Sequence, residues 1–110
     1  MAKPQPGEVW LVDLGLAAKV RPCLVLSDYP ADDELALVIV TPHTTAIRGN
    51  RWELAIPKRF LKPGAFHLQQ LQPVSLARLE KKLGSLTDAE LQIVRSTIIR
   101  LLNLIPNPPH

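Results

Sequence analysis

The sequence predicts a mainly β fold: a small, strongly curved antiparallel sheet or open barrel, with one amphipathic helix packed against it. Three observations carry this reading. Short apolar runs separated by turn-forming residues recur from Gly7 to Leu86, the pattern of several short strands. The stretch 7–27, GEVWLVDLGLAAKVRPCLVLS, holds two such runs joined by a connection too short for a helix. Sustained helical periodicity comes only after Thr87. Strands followed by one terminal helix in 110 residues make a single two-layer domain over residues 1–110, with a modest core.

Residues 1–6 carry Pro4 and Pro6 and are expected to extend over the surface. In the first strand Trp10, Val12 and Leu14 fall on one face and Val9, Leu11 and Asp13 on the other. After the connection 15–20, Arg21-Pro22 opens a second strand. Its residues Cys23, Leu24, Val25 and Leu26 are apolar throughout, as in a strand covered on both sides. Residues 28–34 form an acidic turn, and 35–40 (LALVIV) read as a buried strand by length and β-branching. A polar loop follows over 41–50. In 51–57, Trp52, Leu54 and Ile56 alternate with Arg51, Glu53 and Ala55, which predicts a half-buried strand. Residues 58–61 suit one helical turn before Lys62-Pro63-Gly64.

Residues 65–74 read as a further strand, 75–82 as a helical turn and 83–86 as a short strand. Thr87 with Glu90 three residues on forms a capping box, and Asp88 adds negative charge to the first turn. Leu91, Val94, Ile98, Leu101 and Ile105 then recur at spacings of three and four, predicting one long helix. Pro106 stops it and leaves 106–110 as a frayed tail.

With 46% apolar and 21% charged residues the chain should fold. No apolar run approaches the length of a membrane span, and the first residues lack the apolar segment of a secretory signal. One cysteine excludes an internal disulfide and fits the reducing cytoplasm. A net charge of +3 and a pI of about 9.4 lean towards an anionic partner.

The three histidines, His43, His67 and His110, show no close ligand spacing, and one cysteine cannot build a thiolate site, so no metal is expected. Neither a phosphate-binding glycine loop nor a GxSxG elbow is present. A cofactor-free reaction or simple binding remains. Arg21 stands where the hairpin opens, its backbone held and its head in solvent, a good place to fix an anion. A salt bridge to Asp13 or to the acidic turn is the competing role. Arg48 and Arg51 flank a Gly-Asn turn and read either as phosphate anchors for a single strand or as a solvated pair. Trp10 and Trp52 alternate with core positions and are assigned to the core.

The strand GEVWLVDL, the loop, Arg21-Pro22 and an apolar strand ending in Ser27 are followed by Thr41-Pro42-His43-Thr44-Thr45 and by the stretch from Leu68 into the last helix. In this order and spacing, over about residues 6–105, the chain resembles the MazF/PemK family of toxin–antitoxin mRNA interferases. The resemblance implies an SH3-like barrel with a C-terminal helix, assembled as a two-fold homodimer in the cytoplasm. It implies a toxin silenced by a cognate protein antitoxin, touching DNA only through that antitoxin, and associated with no membrane. The implied reaction is metal-independent, sequence-selective cleavage of single-stranded mRNA, leaving a 2′,3′-cyclic phosphate and a 5′-hydroxyl.

In that reaction the 2′-hydroxyl attacks, so a protein must move two protons and stabilise the phosphorane. The resemblance makes Arg21 and Thr44 catalytic. Arg21 would stabilise charge through its planar fork, and Thr44 would donate its hydroxyl to a phosphoryl oxygen, unless that hydroxyl merely caps a turn. Thr45 is its near substitute. The chain departs from the family's pattern in two places: the connection 15–20 is short, and the stretch His67-Leu68-Gln69-Gln70-Leu71-Gln72 has Gln and Leu where relatives carry ionisable residues. Glutamine can contact a phosphate or base but cannot shuttle a proton, so a histidine is expected to do so. His67, sharing a strand face with Gln69, is the catalytic choice; His43, beside Thr44, is placed with Thr45, Arg48, Arg51 and Gln69 as substrate-binding. Ile99 and Leu102 widen the helix stripe towards a dimer seam or an antitoxin groove. Two rival readings stand: a non-catalytic poison of a protein target, resembling CcdB, and a degenerate family member that binds RNA or antitoxin without cutting.

Overall fold

The computed structural model describes residues 2–15 and 19–105. Seven strands and one helix follow in order: β1 (Glu8–Asp13), β2 (Val20–Val25), β3 (Leu37–Thr44), β4 (Glu53–Leu54), β5 (Ala65–His67), β6 (Gln72–Ser75), β7 (Leu79–Ser85) and α1 (Asp88–Leu101). Every pairing is antiparallel. The sheet runs β4-β5-β3-β2-β1-β7, and β6 also lies on β3.

β3 is the pivot. One edge pairs with β2 over Val40–Pro42. The other edge pairs with β6 from Leu37 to Val40 and then with β5 at His43 and Thr44. Between these two ladders stand Thr41 and Pro42. Proline has no N–H for a ladder, and the Thr41 hydroxyl donates instead to the His67 carbonyl at 2.8 Å. The sheet forks here, and the chain crosses the fork by a 3-10 turn, Leu68–Gln70.

Period-two alternation gives both sheet faces a core. Trp10, Val12, Cys23, Val25, Val38, Val40, Val74 and Leu79 pack together on the concave side, with Leu14 and Leu76 against them. Val9, Leu24, Phe66 and Leu68 form the second cluster with Val94 of α1, and Ile98 and Leu101 pack against it. Each such side chain contributes about 1.5–3 kcal/mol on burial. Val74 of β6 and Leu79 of β7 belong to the same core cluster, yet no ladder among the described residues joins these strands; a 3-10 turn, Leu76–Arg78, lies between them. The barrel is open.

The expected alternation in β1 and the two-sided burial of β2 are both present. Several boundaries differ. The strand read as 35–40 begins at Leu37 and runs on to Thr44, through residues read as loop, because β5 pairs its last two positions; Leu35 is 77% exposed. The half-buried strand over 51–57 shrinks to Glu53–Leu54. The strand over 65–74 is broken by the turn at Leu68. Residues 75–82 hold only the three-residue turn before β7, which absorbs most of the predicted 83–86 strand: the pairing of Leu79, Lys81 and Lys82 with β1 overrides a helix-favouring composition.

The capping box is formed: the Thr87 hydroxyl accepts from the Glu90 N–H at 3.1 Å, and the Glu90 carboxylate accepts from the Thr87 N–H at 2.8 Å. The helix ends earlier than its apolar pattern. Asn103 takes φ 55°, and the Leu104 and Asn103 N–H groups donate to the Ile99 and Arg100 carbonyls, a Schellman stop that leaves Ile105 outside. No helix among the described residues is long and apolar enough to cross a membrane. The predicted tail, 106–110, lies outside the described residues, as does part of the connection 15–20.

Candidate active site

The fork in the sheet opens a cleft of about 350 Å³ lined by Leu14, Arg21, Pro42, Thr44, Ala46, Arg48, His67, Gln70 and Gln72. Four of the sequence-predicted residues therefore meet in one place: Arg21, Thr44, Arg48 and His67. Two arginines and no carboxylate line the cleft, so its field favours an anion.

Each side chain is held by identifiable backbone. Arg21 stands opposite Val12 in the β1–β2 ladder and is exposed. The Cys23 S–H donates to the Arg21 carbonyl, a weak bond at 3.6 Å, and burial pushes that thiol up to about 12 despite the nearby guanidinium. Asp13 accepts from the Gly15 N–H at 2.8 Å and approaches Arg78 at 3.9 Å. Thr44 ends β3, and its hydroxyl oxygen accepts from the Ala46 N–H at 3.0 Å. The turn cap and a donor role coexist: accepting this bond orients the oxygen and leaves its own proton to give. Gly64 permits the close packing behind it, since a Cβ there would lie 2.2 Å from the Thr44 carbonyl oxygen.

Arg48 is positioned by a residue the sequence reading did not single out. The Glu53 carboxylate accepts from the Arg48 N–H at 2.9 and 3.2 Å and from the Asn50 N–H at 2.9 Å. These backbone bonds, from Arg48 first and Asn50 next, hold Glu53 below the ordinary carboxylate range, with a smaller attraction from His67. Glu53 is the ladder partner of His67. One carboxylate thus sets both the loop carrying Arg48 and the charge beside the imidazole.

His67 caps the 3-10 turn Leu68–Gln70. Because side chains three apart eclipse in such a turn, Gln70 joins His67 in the cleft, and Gln72 follows. The expected partner, Gln69, is turned aside and accepts weakly from the Asn50 side chain at 3.5 Å. Gln70 and Gln72 were missed because a continuous strand would group 67, 69 and 71; the break itself had no marker in the sequence. Arg51 lies over the Trp52 ring at 4.3 Å, which suits cation–π packing, and lines no part of this cleft.

His43 and Thr45 alternate away from Thr44 because β3 stays extended. They line a second cavity of about 360 Å³, which also includes Arg21. His43 is 5% exposed, meets Phe66 edge-on at 5.1 Å, and is pushed down by burial, so it stays neutral near pH 7.

Residues 5–102 match the family described as PemK-like, MazF-like toxin of type II toxin-antitoxin system. The chain is 34% identical over 100 residues to the probable endoribonuclease MazF5 of Mycobacterium tuberculosis, covering 84% of this chain and 87% of that protein. Among solved structures, an endoribonuclease in complex with its cognate antitoxin from a mycobacterial species superposes with TM-score 0.78 at 24% identity, covering 96% and 99% of the two chains. A MazE–MazF complex from Deinococcus radiodurans gives 0.78 at 21% identity, covering 94% and 100%. These last two likenesses establish the MazF-like fold, and the sequence match establishes kinship with a probable endoribonuclease: the chain belongs to the PemK/MazF toxin family of type II toxin–antitoxin systems.

Proposed function

We propose that the protein is the ribonuclease toxin of such a pair, cutting single-stranded RNA by attack of the substrate's own 2′-hydroxyl. One observation carries this reading: a single cationic cleft gathers Arg21, Thr44, Arg48 and His67, and among the described residues no carboxylate lines it to repel a phosphodiester. The internal nucleophile forms a 2′,3′-cyclic phosphate and expels the 5′-oxygen. Arg21 offers a fork to two phosphoryl oxygens and stays protonated, so it stabilises the phosphorane rather than moving protons. Thr44 gives a third donor. An imidazole suits proton transfer, which makes His67 the cleft's candidate for that step, and Arg48 with Gln70 and Gln72 holds the strand. A protein antitoxin is the partner that would silence it, consistent with the antitoxin-bound structures of its fold relatives.

The test is cleavage of a long RNA by purified protein in excess EDTA. Cutting is expected, with 2′,3′-cyclic phosphate ends. Arg21→Ala and Thr44→Ala should each slow it at least about tenfold with the fold intact, the scale for losing one transition-state donor. Wild-type rates in the Arg21 variant would sink the mechanism, and retained toxicity in it would favour a non-catalytic poison. Binding without any cutting by the wild-type chain would mark a degenerate family member.

A further inference from the structure

The second cavity shares Arg21 with the cleft but has a different character. Lys62 and Arg21 supply two cations, Thr45 a hydroxyl, and Phe60, Pro22 and Leu83 the apolar wall. Phe60 is seated with care. A Cβ on Gly84 would lie 2.4 Å from one ring carbon and 2.7 Å from the two beside it, so the ring lies face-on against the backbone of β7. Only glycine at this position allows that. The ring is half-buried, packs against the second core cluster and also lines the cavity. A fixed aromatic surface with cations nearby is what a nucleobase and its phosphate require.

We propose that this cavity is a second nucleotide subsite: the base adjoining the scissile phosphate stacks on Phe60, and its outer phosphate pairs with Lys62. The inference rests on the ribonuclease reading for its ligand, RNA. It adds a path: the strand enters by Arg48, Gln70 and Gln72, passes its scissile phosphate across Arg21, and leaves between Phe60 and Lys62. Arg21 belongs to both cavities because the phosphate it holds joins the nucleotides in each. His43, 5% exposed, also lines this cavity.

The experiment measures binding of a fluorescein-labelled RNA of randomised sequence, roughly twelve nucleotides long, fully 2′-O-methylated so that it cannot be cut. Phe60→Leu keeps apolar volume against the core and removes the stacking ring; it should weaken binding about tenfold, and Phe60→Trp should restore it. Lys62→Ala should lower the slope of log affinity against log salt by about 0.7, the loss of one phosphate contact on a single strand. Wild-type affinity in Phe60→Leu, or an unchanged salt slope in Lys62→Ala, overturns the subsite. A trinucleotide probe too short to span both cavities should bind with less dependence on Phe60; equal dependence at both lengths overturns the path. Because the probe is uncleavable, the two proposals fail separately. A wild-type chain that binds it but leaves matching unmodified RNA intact refutes the ribonuclease reading and not the subsite.

Discussion

His67 and His43 share a residue type and a neighbourhood, yet their surroundings assign them different work. His67 stands in the cationic cleft with its carbonyl tied to Thr41 and Glu53 opposite in the ladder. His43 is packed against Phe66 and held neutral by burial. A histidine that carries a proton leaves a limb in the pH–rate profile. His67→Gln is therefore expected to slow cleavage more than His43→Gln and to remove that limb, while affinity for uncleavable RNA stays nearly unchanged because Arg21 and Arg48 still hold phosphates. An identical profile in His67→Gln would reduce the imidazole to a structural part. The contrast was half visible in the sequence. Alternation puts His43 opposite Thr44 once the strand is known to continue, but nothing in Thr41-Pro42-His43-Thr44 advertises a strand, since proline and polar residues read as loop. Burial of Pro42 and pairing of His43 with β5 supply what local pattern could not.

At the level of elements, the reading succeeded where one physical signal dominated. Apolar alternation found β1 and β2, and the capping box found the start of α1 to the residue. It failed where tertiary pairing decided. The sequence Ser75–Lys82 favours a helix by composition, but β1 needs a partner on its outer edge. Lys81 and Lys82 then serve that exposed strand by discouraging further pairing. The site depends on a break of the same kind, the fork of β3, and on the loop that Glu53 gathers. Here the sign of the acid response is fixed. Folding lowers the pKa of Glu53, chiefly through the backbone bonds from Arg48 and Asn50, and so favours its ionised form; its stabilisation is complete above the ordinary carboxylate value and lost as pH falls through the depressed folded value. The loop 48–50 is expected to loosen only in acid below the ordinary carboxylate range, with the amide resonances of Arg48 and Asn50 titrating together. Glu53→Gln should abolish that shared titration and raise KM more than it lowers kcat, because Arg48 loses its anchor while Arg21 and Thr44 remain. Amides that titrate separately, or not at all, would show that the carboxylate does not organise the loop.

For the molecule as a whole, the apolar surface is larger than one small sheet and helix can hide. Between α1 and the sheet a groove of about 380 Å³ is lined by Leu26, Ile39, Leu71, Ile98, Ile99 and Leu102, with Arg95 at its edge. Leu102, Leu104 and Ile105 stand 48%, 60% and 65% exposed at and after the end of the same helix. Apolar surface of this kind is expected at an interface, and a face repeated on every copy is most simply covered by itself about a two-fold axis. Ile99 and Leu102 were legible in the sequence as a stripe too wide for one core; the groove beside them was not, because Leu26, Ile39 and Leu71 join it only through the fold. The expected outcome is a homodimer by light scattering at micromolar concentration, and a monomer in Ile99→Glu combined with Leu102→Glu, which places two charges on the seam. Neither position belongs to the buried core, so the helix and sheet should survive by circular dichroism, and neither lines the cleft or the second cavity. A wild-type monomer at that concentration would reject the seam. A dimer that persists in the double variant would move it to another face and leave this groove to a different partner.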